Sequence, residues 1–274
     1  MNFRTDLADE KPPQPAGRRV FREIFAEDHC TVSCTEIARG SPKETEKYIL
    51  IEPDDPPCDD FSGLLARVSK ELSALLPEGP VLIVGLGNRS ITPDALGPKT
   101  ADGILPTRHV RSCLEKTFGI PSLREVSVVS PGVLGTTGIE AADAVASVAK
   151  KLRPKAIVAI DALASGQFSR LCRCVQLTNA GIAPGSGIGS RRGALNEKTM
   201  GIPVFALGVP TVIDGAEFAK EAGAERAQTP PGAFLTLGDI DRKITLLSSI
   251  LAGAINTALN PAISAEEFRR LTQC

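Results

Sequence analysis

Two short, wholly apolar runs, Val81-Leu-Ile-Val84 and Ala156-Ile-Val-Ala-Ile160, each lead directly into residues with a different character: Gly85-Leu-Gly87-Asn88 after the first, Asp161 after the second. Continuous apolar runs of this length mark strands buried on both faces, the condition of central strands in a parallel sheet covered by helices. Segments of helical period lie between such runs. "FSGLLARVSKELSALL" (61–76) and residues 139–152 repeat apolar residues at three- and four-residue steps, and a further helix is expected over 96–105. "YILIE" (48–52), residues 125–130, "CRCVQLT" and "PVFALGV" supply the other strands. Alternating strands and helices predict an α/β fold, a three-layer α/β/α sandwich with a mostly parallel sheet and right-handed crossovers. Residues 46–274 read as a single α/β domain. Residues 1–45, with charge, proline and cysteine but little period, read as an extended or loosely structured N-terminal arm that packs on that body.

Composition narrows the function. Thirty-one basic and 32 acidic residues in 274 leave a net charge of −1 without long runs of either sign, so no nucleic-acid or membrane partner is expected. The one long apolar stretch, "ITLLSSILAGAINTAL" (244–259), is too short and too polar to span a bilayer and reads as a core helix. Seven irregularly spaced cysteines behind a charged, proline-bearing start suit reduced thiols in a cytoplasmic compartment. Neither the Cys30/Cys34 nor the Cys172/Cys174 pair has metal-site spacing, so no metal and no cofactor are expected.

Gly85-Leu-Gly87 lacks the third glycine of a dinucleotide fingerprint, since position 90 is serine. Only His29 and His109 are available as imidazole bases, and no nucleophile elbow follows a strand, which argues against serine–histidine catalysis. A pair of carboxylates stands out instead. Asp94 and Asp161 each follow an apolar strand of the same inferred sheet, so crossover topology brings both to its carboxyl edge. Two carboxylates in one crevice share a proton and can act as general acid and base on a single water. Spacing alone leaves two other roles open: helix or turn caps, and ligands of a divalent metal with His109 as a third. Three glycine-rich stretches, 131–138, 183–189 and 207–214, are expected as loops around this edge, where glycine lets backbone N–H groups approach a bound chain. They nominate Gly132, Gly135, Gly185, Ser186 and Gly187, with Asn88 and Ser165, as substrate-binding residues.

The chain resembles the germination protease family, endopeptidases of endospore-forming bacteria that degrade small acid-soluble spore proteins. The resemblance runs through "RTDLA" (4–8), "GLGN…TPDALGP" (85–98), "TRH" (107–109), "PGVLGTTGIE" (131–140), "IDALAS" (160–165), "GIAPGSGIG" (181–189), "GIPVFALGVPTVID" (201–214) and "LAGAINTAL" (251–259). It implies that Asp94 and Asp161 are the catalytic aspartates of an aspartic-type endopeptidase in the spore core. It also implies a fold like that of the hydrogenase-maturation endopeptidases, a zymogen, a homotetramer, and cleavage after an acidic residue that precedes a hydrophobic residue and alanine. Two alternatives follow from the same resemblance: a metal-guided processing protease, and a relative that binds spore proteins without cutting them. Only Met1–Phe3 precede "RTDLA", which leaves control by the family's longer propeptide open. "CTEIARG" (34–40) offers Glu36–Ile37 as a self-cleavage bond within the arm. The stretch between Asp214 and the terminal helix is shorter than the family's.

Overall fold

The computed structural model describes residues 5–10, 19–38, 45–54, 62–109, 123–185, 193–224, 229–230 and 232–263. In chain order the main elements are β1 (Arg19–Glu27), β2 (Cys30–Ala38), β3 (Thr45–Pro53), α1 (Ser62–Leu75), β4 (Val81–Gly85), α2 (Leu96–Asp102) and β5 (Val126–Val129). They continue with α3 (Ala141–Leu152), β6 (Ala156–Ser165), β7 (Val175–Thr178), β8 (Val204–Asp214), α4 (Gly215–Glu221), β9 (Phe234–Leu235) and α5 (Ile240–Leu259). One sheet runs in the order β1-β2-β3-β7-β8-β6-β4-β5, with β9 paired to the end of β8.

The central strands are apolar on both sides because both sides are covered. Val81 and Ile83 of β4, with Val158 and Ile160 of β6, pack against Leu64, Val68 and Leu72 of α1 and Ile244, Leu251 and Ile255 of α5. Leu82, Val84, Ile157 and Ala159 face the other way, onto Val145 and Ala149 of α3. In each helix the buried residues recur at steps of three or four, the period that turns one stripe inward. The result is the expected three-layer α/β arrangement. No helix among the described residues is long and apolar enough to cross a membrane.

Parallel pairing is confined to β5-β4-β6-β8, whereas β7, β3, β2 and β1 run antiparallel. The antiparallel half contains the main departure from the sequence reading. Residues 19–38 are not a loose arm but a hairpin that continues the same sheet, and residue 46 lies inside β3. The hairpin turns on Asp28 and His29, with φ of 55° and 57°. Two successive left-handed residues in a two-residue connection match the twist of the flanking strands. The Glu36–Ile37 bond therefore lies in β2, with Ile37 buried and opposite Val20 on one side and Glu46 on the other. A cut there requires β2 to leave the sheet. "LGVPTVID" (207–214), read as a loop, is the second half of β8.

From β4 the chain crosses to β5 by α2 on the α5 side, then returns from β5 to β6 by α3 on the opposite side. Strand order reverses between β4 and β6, since β4 leads on to β5 on one side and β6 to β7 and β8 on the other, so their carboxyl ends flank the switch point where such sheets usually bind ligands. The seam there is closed by backbone. Leu86 N donates to Ile160 O (2.8 Å), and Gly97, in the first turn of α2, rests directly on this bond. A Cβ at position 97 would overlap the carbonyl oxygens of Leu86 and Ile160 and reach within 2.7 Å of Leu86 N. Neither oxygen can move without opening the sheet. Gly97→Ala is expected to lower folding stability by about 2 kcal/mol or more. Urea unfolding measures this, and a midpoint equal to that of the parent protein would contradict it.

Candidate active site

The loop after β4 folds back on itself. Gly87 has φ of 117°, and a Cβ there would overlap Asp94 O and come within 3.1 Å of Asp94 Oδ1. With only hydrogen at that point, Asn88 N can donate to Asp94 Oδ2 at 2.7 Å. Asp94 ends the single 3-10 turn Thr92–Asp94, which has Pro93 at its second position and is closed by Asp94 N donating to Ile91 O (2.8 Å). The N-cap of α2 is Ala95, without a side-chain cap bond. Asp94 is therefore not the cap of the helix that follows. The turn that ends at Asp94 lies against β6, β8 and α5.

Asp161 is not at a strand end either. β6 continues to Ser165, and Asp161 is the first residue beyond the last pairing with β4, Gly85 opposite Ile160. It is buried, at 4 % exposure, and its Oδ1 accepts from Ala162 N (2.9 Å). By strand alternation it lies on the α3 side with Ile157 and Ala159. Across the sheet it stands level with Gly208 of β8, which is level with Gln176 of β7. Gly208 leaves room for Leu163, whose side chain would approach a Cβ there to 2.6 Å. The capping alternative thus fails for both aspartates: one closes its own loop, the other sits in a strand.

The remaining nominated residues are spread around this edge. Asn88 Oδ1 accepts from Ser90 N (3.0 Å), which stiffens the Asp94 loop. Gly132 (φ 74°) lies after β5, against Thr136 and Thr137, and Gly135 opens onto free space, with no heavy atom within 4 Å of where its Cβ would stand. Gly185 (φ 73°) ends the described part of its loop, and Ser186 and Gly187 lie outside the described residues. That loop is pinned over the α3 side by reciprocal backbone bonds between Ile182 and Leu195 (2.8 and 2.7 Å). Ser165 is fully buried, and its hydroxyl donates to Glu10 Oε1 (2.8 Å) and Gln167 O (3.0 Å). Its contacts are internal. Residues 5–10, of which only 5–8 belong to the quoted RTDLA motif, thereby join the surroundings of the site; periodicity gives no sign of this.

Other nucleophiles and ligands are poorly placed. His29 and His109 both occupy exposed turns. Among the described residues, no group of three or more His, Cys, Asp or Glu is arranged to hold a metal ion. Burial pushes the Cys30 thiol up to about 11 and the Cys172 thiol up to about 12, and raises Cys174 as well. A thiol raised in this way stays protonated at neutral pH and is a poor nucleophile. In the folded protein at pH 7.5, iodoacetamide should leave Cys30, Cys172 and Cys174 unmodified, and in urea all three should react. Peptide mapping reads the outcome, and rapid labelling of any of them without denaturant would refute this account of their burial.

A family model described as "Germination protease" matches residues 58–223. The germination protease of Clostridium perfringens is 38% identical over 321 aligned positions, covering 98% of this chain and 98% of that protein. The one from Clostridium tetani is 34% identical over 325 positions with the same coverage of both. Among solved structures, a NiFe hydrogenase maturation protease from Thermococcus kodakarensis aligns with 68% of this chain and 98% of its own, at 14% identity and a TM-score of 0.35.

Proposed function

The chain belongs to the germination protease family, and from that premise we propose that it is an aspartate-dependent endopeptidase that makes the first cuts in small acid-soluble spore proteins, within the spore core, at germination. The observation that carries this reading is the position of the two aspartates. Both lie at the carboxyl edge of the β4–β6 seam, and neither is used as a helix cap.

In this reading one carboxylate, ionised, takes a proton from a water as its oxygen attacks the scissile carbonyl carbon. The other, protonated, donates to the carbonyl oxygen as charge develops there. The tetrahedral intermediate collapses when the leaving nitrogen receives a proton, and the pair returns to its starting state with one proton shared. Asn88 and the loops bearing Gly132, Gly135, Gly185, Ser186 and Gly187 line up the substrate backbone. Ser165 serves from within, as an anchor of β6. Small acid-soluble spore proteins are the partners, and the working assembly is a homotetramer.

Asp94→Asn and Asp161→Asn are each expected to lower cleavage of a small acid-soluble spore protein by roughly 1000-fold or more while the unfolding curve stays close to that of the parent. Product bands resolved over time on a gel measure it. Near-normal turnover by either folded variant would sink the assignment.

The pair needs no metal in this mechanism, so dialysis against EDTA is expected to leave the cleavage rate unchanged. If chelation abolishes activity and a single added divalent ion restores it, the metal-guided processing reading replaces this one.

A further inference from the structure

β6 is twice as long as β4. Their pairing stops at Gly85 opposite Ile160, but β6 runs on with β8 as far as Ser165 opposite Ile213. From Asp161 onward the β4 side of β6 is therefore a sheet edge, and its backbone groups need partners. Ala162 N is bonded by the Asp161 carboxylate itself. The rest of the edge is covered by the chain's own residues Thr5–Glu10. Asp6 N donates to Ala164 O, and Ala164 N donates to Asp6 Oδ2, both at 2.9 Å. Glu10, whose side chain is 2 % exposed, accepts from Gly166 N (2.6 Å), Ser165 Oγ (2.8 Å) and Thr5 Oγ1 (2.6 Å).

The segment is held from its far side as well. Gln176, level with Gly208 and so with Asp161, accepts from Ala8 N (2.8 Å) and donates to Asp6 O (3.3 Å). Leu7 is fully buried among Leu50, Leu163, Cys174 and Ile182. Arg170 meets Asp9 (2.8 Å), Glu10 (3.2 Å) and Glu52 (3.4 Å). Burial works against its charge, and these carboxylates more than offset that, so its pKa is raised overall.

We propose that residues 5–10 are a positioning strap for Asp161, with Glu10 the residue that fastens it. The inference rests on the reading of Asp161 as one of the catalytic pair. A residue one step past the end of β4 is held by β8 on one side only, and β6 has a register irregularity at Leu163/Ala164 just beyond it. Without a partner on the open edge, the segment 161–166 can shift along or away from the sheet. The strap supplies that partner, and Glu10 bonds two consecutive residues, Ser165 and Gly166, where the strand ends. Glu10 contacts no reacting group in this scheme and acts through the backbone of β6.

The role separates from substrate contact in kinetics. Misplacing a carboxylate by a fraction of an ångström to an ångström should lower kcat of Glu10→Ala by roughly 10- to 100-fold, with KM for a small acid-soluble spore protein within about twofold of the parent value. Hydrogen exchange of the peptide spanning 157–168 should speed up by roughly tenfold while that of β4 is unchanged. Glu10→Gln keeps an acceptor oxygen and should restore kcat to within about threefold. If Glu10→Ala does not fold, Ser165→Ala, which removes the bond to Glu10 along with those to Gln167 but leaves Gly166 N and Thr5 Oγ1 on Glu10, must show the same kcat-selective loss at smaller size. Unchanged kcat in a folded Glu10→Ala, or a raised KM at constant kcat, or unchanged exchange over 157–168, overturns the proposal. A parent protein that does not cleave the spore protein at all refutes the proposed function instead, and exchange then judges the strap by itself.

Discussion

The site depends on one place where two pieces of backbone touch with nothing but hydrogen between them. Gly97 lies on the Leu86–Ile160 hydrogen bond that closes the β4–β6 seam, and Gly85 sits under Gly97 so tightly that a Cβ there would overlap its carbonyl oxygen. Asp94 is three residues before Gly97, and Asp161 is the residue after Ile160. Both carboxylates are thus referenced to the same contact, one through a single helical turn and one through a single peptide bond. Any side chain at 97 pushes α2 off the seam, carries the Asp94 loop with it and leaves Asp161 behind. Gly87 makes the second such demand, since its positive φ and missing Cβ let Asn88 N reach the Asp94 carboxylate.

A strand that outruns its neighbour can carry a carboxylate at the sheet without stranding it. Inside a fully paired parallel sheet every backbone group is committed, and a carboxylate would have to be buried without donors, which is costly. At the first position past β4, Asp161 finds a free N–H in the next residue, Ala162, and remains 4 % exposed with that bond made. The same overrun creates an open edge, and an open edge of apolar strand is a liability unless it is covered. Here the cover is a short polar segment from the beginning of the chain, anchored by side chains more than by a regular ladder.

Much of this was legible in the sequence. The runs at 81–84 and 156–160 and the helical periods of α1, α3 and α5 follow from burial on one stripe or on two faces, which is a local pattern. The β1–β2 hairpin was not legible because its turn is Asp28-His29: the conformation is the common one, but the residues are not the Asn-Gly or Asp-Gly that announce it. "LGVPTVID" was read as a loop because glycine and proline seldom occupy strand interiors. Gly208 is there to accommodate Leu163, a cross-strand neighbour that sequence order does not reveal. For the site, spacing nominated Asp94 and Asp161 but left capping open, and family resemblance gave them roles. Only the geometry removes the caps: Ala95 begins α2, and β6 passes through Asp161.

The charge around the strap has its own logic. Asp9, Glu10 and Glu52 converge on one cation, Arg170, close to a site that already contains two aspartates. Carboxylates of like sign repel, and removing the cation they share would leave them, Glu10 above all, poorly compensated, so truncating Arg170 should damage the fold itself. Truncating Glu10 is a different perturbation. Arg170 keeps Asp9 and Glu52, Ser165 keeps its bond to Gln167 O, and Leu7 keeps its apolar pocket. What is lost is the fastening at Ser165 and Gly166, together with the bond from Thr5 Oγ1 within the strap and one of the three carboxylates on Arg170. The strap therefore divides into an electrostatic part that the fold requires and a hydrogen-bonding part that acts on β6, and the second is the part that bears on the position of Asp161.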